Sequence, residues 1–189
     1  MGGERRDDSV TGHKRSGGRD DGGVIHRVVP SVSLGELDLP ADTIDAVRRA
    51  AQPSAEAALA PLLFVGPPGK GKTTAAEALA SEHSLDLYRV DLGSVVSKWI
   101  GETEKNLRQI FDAAEQAGAI LLFDEADALF GRRSDRKDAH DRRESFDVNY
   151  LFQRLESYPG IVIVMVNSVD DIDSGFVDRF GQVIRFPDD

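Results

Sequence analysis

From residue 62 onward, short apolar runs alternate with stretches whose apolar residues recur every three or four positions. Leu62-Leu63-Phe64-Val65, Ile120 to Phe123 and Ile161 to Val166 are continuous apolar runs, the pattern of strands covered on both faces. Leu85 to Val90 alternates apolar with polar residues, and Val183 to Phe186 makes a last strand. Between them, Thr73 to His83 is rich in Ala, Leu and Glu and reads as a helix. Thr103 to Ala117 carries Leu107, Ile110, Phe111 and Ala114 at helical spacing and is ended by Gly118. Glu144 to Tyr158 presents Val148, Leu151, Phe152 and Leu155 on one face and is stopped by Pro159-Gly160. Strands alternating with helices predict an α/β fold in three αβα layers around a parallel five-stranded sheet.

The flanking stretches carry weaker patterns. Residues 1–23 are rich in Gly, Asp and Arg with almost no apolar groups, so disorder is expected there. Residues 24–61 read as an N-terminal extension and linker. In it Val28, Val29, Val32, Leu34, Leu37 and Leu39 anchor a partly extended segment, and Pro40 opens a short helix carrying Ile44 and Val47. Ala55 to Ala60 allows one more turn. Residues 62–189 form the core. Within it, Ser94 to Gly101 is a loop or short helix with the only tryptophan, Trp99, and Gly131 to Arg143 is a densely charged loop.

Composition narrows the function. The formal charge of −10 resides in residues 24–189, because residues 1–23 carry five basic and five acidic side chains. An acidic body argues against broad binding to nucleic acid or anionic membranes. Cysteine is absent, which removes disulfides, thiolate metal sites and a thiol nucleophile. His13, His26, His83 and His140 show no ligand spacing. Neither a signal-peptide core nor a run approaching a membrane span is present, so the expected location is cytoplasmic.

Chemistry concentrates where strands end. Gly66-Pro67-Pro68-Gly69-Lys70-Gly71-Lys72-Thr73-Thr74 fits the phosphate-binding loop G-x-x-x-x-G-K-[ST] and stands between a strand and a helix, as that motif requires. Its backbone N–H groups and the helix N-terminus suit phosphate oxygens. Lys72 would reach the β- and γ-phosphates, and the Thr73 hydroxyl would ligate Mg²⁺. Asp124 and Glu125 follow four apolar residues at the end of the third strand, the Walker B pattern. Asp124 would hold Mg²⁺ and Glu125 would accept a proton from the attacking water; the other reading is that Asp124, Glu125 and Asp127 simply cap the next turn. A carboxylate beside the metal ligand favours hydrolysis over transfer to an acceptor. Asn167, just past Val166, offers an amide able to orient water against the γ-phosphate, or else simply forms a turn with Ser168.

From Leu62 to Pro187 the chain resembles the AAA family of ring-forming ATPases. The resemblance rests on the glycine loop, on Phe123-Asp124-Glu125-Ala126-Asp127-Ala128-Leu129-Phe130, on Val166-Asn167-Ser168, and on Ser97-Lys98-Trp99-Ile100-Gly101-Glu102-Thr103-Glu104-Lys105-Asn106-Leu107-Arg108. Ile172 to Phe180 looks like the family's arginine-finger region. His140 to Arg154 is similar to bacterial AAA proteins found with phage-tail-like contractile injection systems. The resemblance implies ATP and Mg²⁺ as cofactors, Asn167 as the sensor, and Arg179 acting in trans. It also implies a hexameric homo-oligomeric ring and a polypeptide client gripped in its channel by Lys98, Trp99 and Ile100. Residues 131–143 would be a second pore-facing loop or a solvated charged one.

Three departures qualify what the resemblance implies. Asp178-Arg179 stands where two adjacent arginines are usual. The segment before Leu62 is shorter than the family's adenine-contacting segment, and the helical lid that normally follows the last strand is expected to be missing. The expectation is an ATP-binding core that hydrolyses weakly alone. The rival reading is a truncated paralogue that binds nucleotide, hydrolyses little and acts as a binding or regulatory module.

Overall fold

The computed structural model describes residues 25–52, 60–98, 102–130, 139–170 and 172–188. Residues 1–23, expected to be disordered, lie outside the described residues, as do 55–59 of the turn expected before Pro61.

Six strands and seven helices are described, in the order β1 (Ile25–Val28), α1 (Ala41–Ala50), β2 (Leu62–Val65), α2 (Lys72–Glu82), β3 (Leu87–Asp91), α3 (Leu92–Lys98), α4 (Thr103–Ala117), β4 (Ile120–Asp124), α5 (Asp127–Phe130), α6 (Ala139–Ser157), β5 (Val162–Val166), α7 (Ser174–Val177) and β6 (Gln182–Arg185). A single 3-10 turn, Leu34–Glu36, precedes α1 and is closed by a capping box between Ser33 and Glu36. The strands form one sheet in the order β1-β3-β4-β5-β2-β6.

The continuous apolar runs are explained by this arrangement. In β2, Leu63 and Val65 enter the core under α4 and α6, while Leu62 and Phe64 enter the one under α1 and α2. Each face of the strand meets a helical layer, so no polar position is tolerated between. The N-terminal extension belongs to the same core: Leu34, Val47 and Ala51 are buried with Leu62, Phe64 and Phe186.

Two expectations are corrected. The sheet has six strands rather than five, and it is mixed: β1 runs antiparallel to β3, with Ile25 opposite Val90 and Val28 opposite Leu87. Its four residues place a polar pair, His26-Arg27, between two apolar ones. Such a pattern suits a solvent-facing edge strand and is too short to stand out by alternation. Of the charged stretch read as a loop over Gly131 to Arg143, residues 131–138 lie outside the described residues, and the rest is helical from Ala139, where α6 begins. High charge density does not oppose a helix when both signs are mixed and Gly and Pro are absent. No helical lid follows β6 among the described residues, of which Phe186, Pro187 and Asp188 are the last.

Candidate functional site

β2, β5 and β4 lie side by side and parallel, so their C-terminal ends open onto one edge of the sheet. Ligands bind at such an edge in open α/β sheets. At the end of β2, Gly66 donates its N–H to the Val166 carbonyl at 3.3 Å, fastening the start of the loop to β5. A Cβ on Gly66 would lie 2.9 Å from Phe186 Cβ and 3.1 Å from its carbonyl oxygen, so a side chain cannot fit. Gly71 turns the chain into α2 with φ 85° and ψ 5°, a left-handed conformation that glycine adopts without strain. As the N-cap it has no side chain to accept a hydrogen bond. The first N–H groups of α2 have no partner within the helix and carry the positive end of its dipole.

Those groups border a cavity of about 370 Å³, lined among others by Gly71, Thr73 and Thr74. Lys72 also lines it and is 8% exposed. Its ammonium donates to the carbonyls of Gly66 and, at 2.9 Å, Pro67. Burial pushes the lysine pKa down, opposed by the charges of Asp124 and Asp127. The loop thus holds a cation drawn out of water at the cavity wall.

The acidic wall comes from β4. Asp124 ends that strand opposite Asp91 of β3, and one of its oxygens, Oδ1, accepts the Glu125 N–H at 2.9 Å. Glu125 has φ 56°, a left-handed conformation unusual for a residue with a side chain, and its side chain is exposed at the cavity. Positions of this kind concentrate at functional sites. Asp127 accepts from the Asn167 backbone N–H at 3.0 and 3.2 Å, one bond to each carboxylate oxygen, and from its Nδ2 at 3.2 Å. Asn167, just past β5, is therefore held by the first residue of α5.

Residues 62–188 match the family described as "ATPase family associated with various cellular activities (AAA)". The chain belongs to the AAA family. It is 37% identical over 125 residues to an uncharacterized AAA family ATPase of Sinorhizobium fredii, covering 66% of this chain and 38% of that protein. It is 36% identical over 138 residues to cell division protein C of Sulfolobus acidocaldarius, covering 67% and 37%. The crystal structure of the FIGL-1 AAA domain superposes with a TM-score of 0.70 at 20% identity, over 88% of this chain and 58% of that one. At 38% and 37%, this chain spans well under half the length of those two relatives.

In this AAA domain, Pro68, Gly69, Gly71, Lys72, Thr73, Thr74, Asp124, Glu125 and Asn167 line one cavity, whereas Gly66 and Pro67 contribute through their carbonyls to Lys72. Lys70 stands in the loop and is not among the lining residues. Arg179 is elsewhere. Its Nε donates to Glu156 at 2.9 Å, and its guanidinium sits 4.2 Å from the centre of the Phe152 ring, both on α6 of the same chain. Trp99 and Ile100 lie outside the described residues, and so does the side chain of Lys98 at the end of α3.

Two residues of the AAA site escaped the sequence reading of roles. Asp127 was legible within the acidic motif, but only the fold shows that it holds Asn167. Arg89 on β3 donates to Asp124 Oδ2 from Nε at 3.1 Å and from Nη2 at 2.5 Å. Its signal was a basic residue between Tyr88 and Val90, two positions before the acidic residue Asp91 that ends the strand.

Proposed function

We propose that this AAA domain binds ATP with Mg²⁺ and hydrolyses it. The observation that carries the reading is the meeting of Lys72, Asp124, Glu125 and Asn167, from three adjacent strand ends, around one cavity walled by uncapped helix N–H groups.

The donor set suits a nucleotide with its metal. Uncapped N–H groups and a desolvated ammonium match phosphate oxygens. Thr73 Oγ1 and the Asp124 carboxylate are hard oxygen donors, the kind Mg²⁺ takes, and they are the Walker A and Walker B metal positions. When bound, Mg²⁺ would offset negative charge that builds on the phosphates during bond cleavage. Lys72 binds and orients the phosphate chain from inside the loop. Glu125, exposed at the cavity, accepts a proton from water on its carboxylate. Asn167, fixed by Asp127, aligns that water through its amide.

Ring assembly and a polypeptide client are part of the same proposal, with Lys98, Trp99 and Ile100 as the pore segment. A second reading is supported by Arg179. Its guanidinium is engaged by Glu156 and Phe152 of its own chain, and Asp178 precedes it. A domain whose finger-region arginine packs internally suits a nucleotide-binding module with slow turnover. Calorimetric titration with ATP and Mg²⁺ tests the core claim: wild type and Glu125→Gln should both bind, and Lys72→Met should not. Equal binding by all three would overturn it. Solution mass in the presence of ATP separates a ring from a monomeric module.

A further inference from the structure

Arg89 carries no role in the mechanism above, yet it is bonded to the residue assigned to the metal. β3 pairs Arg89 with Leu122 of β4 on one side and His26 of β1 on the other. Asp91, two residues on, faces Asp124 in the same register. Side chains alternate along a strand, so Arg89, Asp91 and Asp124 emerge on one face of the sheet. The guanidinium reaches one step toward the strand ends and places two N–H groups on Asp124 Oδ2. The other oxygen already accepts the Glu125 N–H. Both oxygens of the candidate metal ligand are thus engaged by the protein itself.

The pair is unequal in exposure: the Arg89 side chain is 44% exposed and that of Asp124 is 18% exposed, so the guanidinium is the more open to water of the two. A second cavity of about 180 Å³ lies beside the first, lined by His26, Arg89, Asp91, Asp124 and Glu125. Arg89, Asp124 and Glu125 line both cavities. One side of Arg89 therefore faces the nucleotide cavity, and the other faces a partly acidic recess.

We propose that Arg89 is a built-in counter-ion that competes with the metal for Asp124, and so sets how strongly nucleotide binding depends on Mg²⁺. Without metal, the guanidinium neutralises Asp124, which would otherwise repel the phosphates. With metal, Arg89 gives up Asp124 and turns toward the recess beside Asp91. The inference rests on the ATP reading of the site. It makes Arg89 a positioning residue, acting through Asp124.

The test is the affinity of the full chain for the non-hydrolysable analogue AMP-PNP, measured from EDTA to saturating Mg²⁺. For Arg89→Gln, metal-free affinity should fall while metal-saturated affinity holds or improves. The ratio of the two should rise at least about threefold, the scale of a half-exposed ion pair. Asp124→Asn should remove the effect, so that Arg89→Gln adds nothing in that background. Arg89→Met, which retains most of the stem's packing, is a second variant that should behave alike if Arg89→Gln folds poorly. An unchanged ratio in a folded variant would overturn the proposal and leave Arg89 as a structural ion pair between β3 and β4. Loss of turnover with an unchanged ratio would also overturn it. If wild type binds no AMP-PNP at any Mg²⁺ concentration, the ATP reading itself fails, which is a different result.

Discussion

Lys72 shows how a single residue can trade stability for binding. Its ammonium is buried against loop carbonyls, and desolvation lowers its pKa. The charged form is thus disfavoured by folding: the cost is present below the folded pKa and fades as pH rises toward the ordinary lysine range. At neutral pH the nucleotide-free protein bears that cost. Lys72→Met should therefore abolish ATP binding while leaving the Tm of the empty protein unchanged or higher, read by calorimetric melting. Asp127 makes the complementary case. Asp127→Ala releases both the backbone and the amide of Asn167. It should lower kcat by about tenfold or more, as misplacement of an orienting group does, with a much smaller change in KM for ATP in steady-state kinetics. The glycine loop and the acidic pair were legible because their chemistry is local in sequence. Arg89 and the Asp127–Asn167 pair were not, since each role depends on a partner 35 or 40 residues away.

Among the elements, α5, α6 and α7 are joined by aromatic packing on the face opposite α2. Phe152 of α6 stacks on Phe176 of α7 at 5.3 Å and meets Phe130 of α5 at 5.1 Å, tying the acidic loop to the segment that carries Arg179. Phe152→Ala should cost about 3–5 kcal/mol, as for other large aromatic truncations in a core, measured by denaturant unfolding. Just past α6, Tyr158 donates its hydroxyl to the Ala119 carbonyl at 2.6 Å, and burial, aided by the charge of Glu115, pushes its pKa up to about 12. Its contribution is therefore complete below the usual value near 10 and is lost as pH rises from there toward 12. Tyr158→Phe should lower stability by about 1 kcal/mol at neutral pH and flatten the alkaline loss in pH-dependent melting. Helices and buried strands were readable because their periods and lengths are distinct. β1 and the start of α6 were not: an edge strand needs only two inward residues, and a charged helix resembles a charged loop until it packs.

At the scale of the whole molecule, the order β1-β3-β4-β5-β2-β6 places the glycine loop, the acidic pair and Asn167 at neighbouring strand ends. Separations of many tens of residues in sequence become contacts around a single cavity, and that is what converts three short motifs into one site. The extra antiparallel strand extends the sheet beyond β3 and brings His26 beside Arg89, forming the recess next to that site. Every role assigned to these residues depends on ATP binding and hydrolysis in this cavity. The most direct test of that chemistry is Mg²⁺-dependent formation of ADP and phosphate by the full chain, with Glu125→Gln measured alongside. Wild type should turn ATP over, and a Glu125→Gln variant that still binds ATP should do so at least about 100-fold more slowly, in line with loss of a general base. A chain that binds no ATP, or a Glu125→Gln variant that hydrolyses it at the wild-type rate, would contradict these roles.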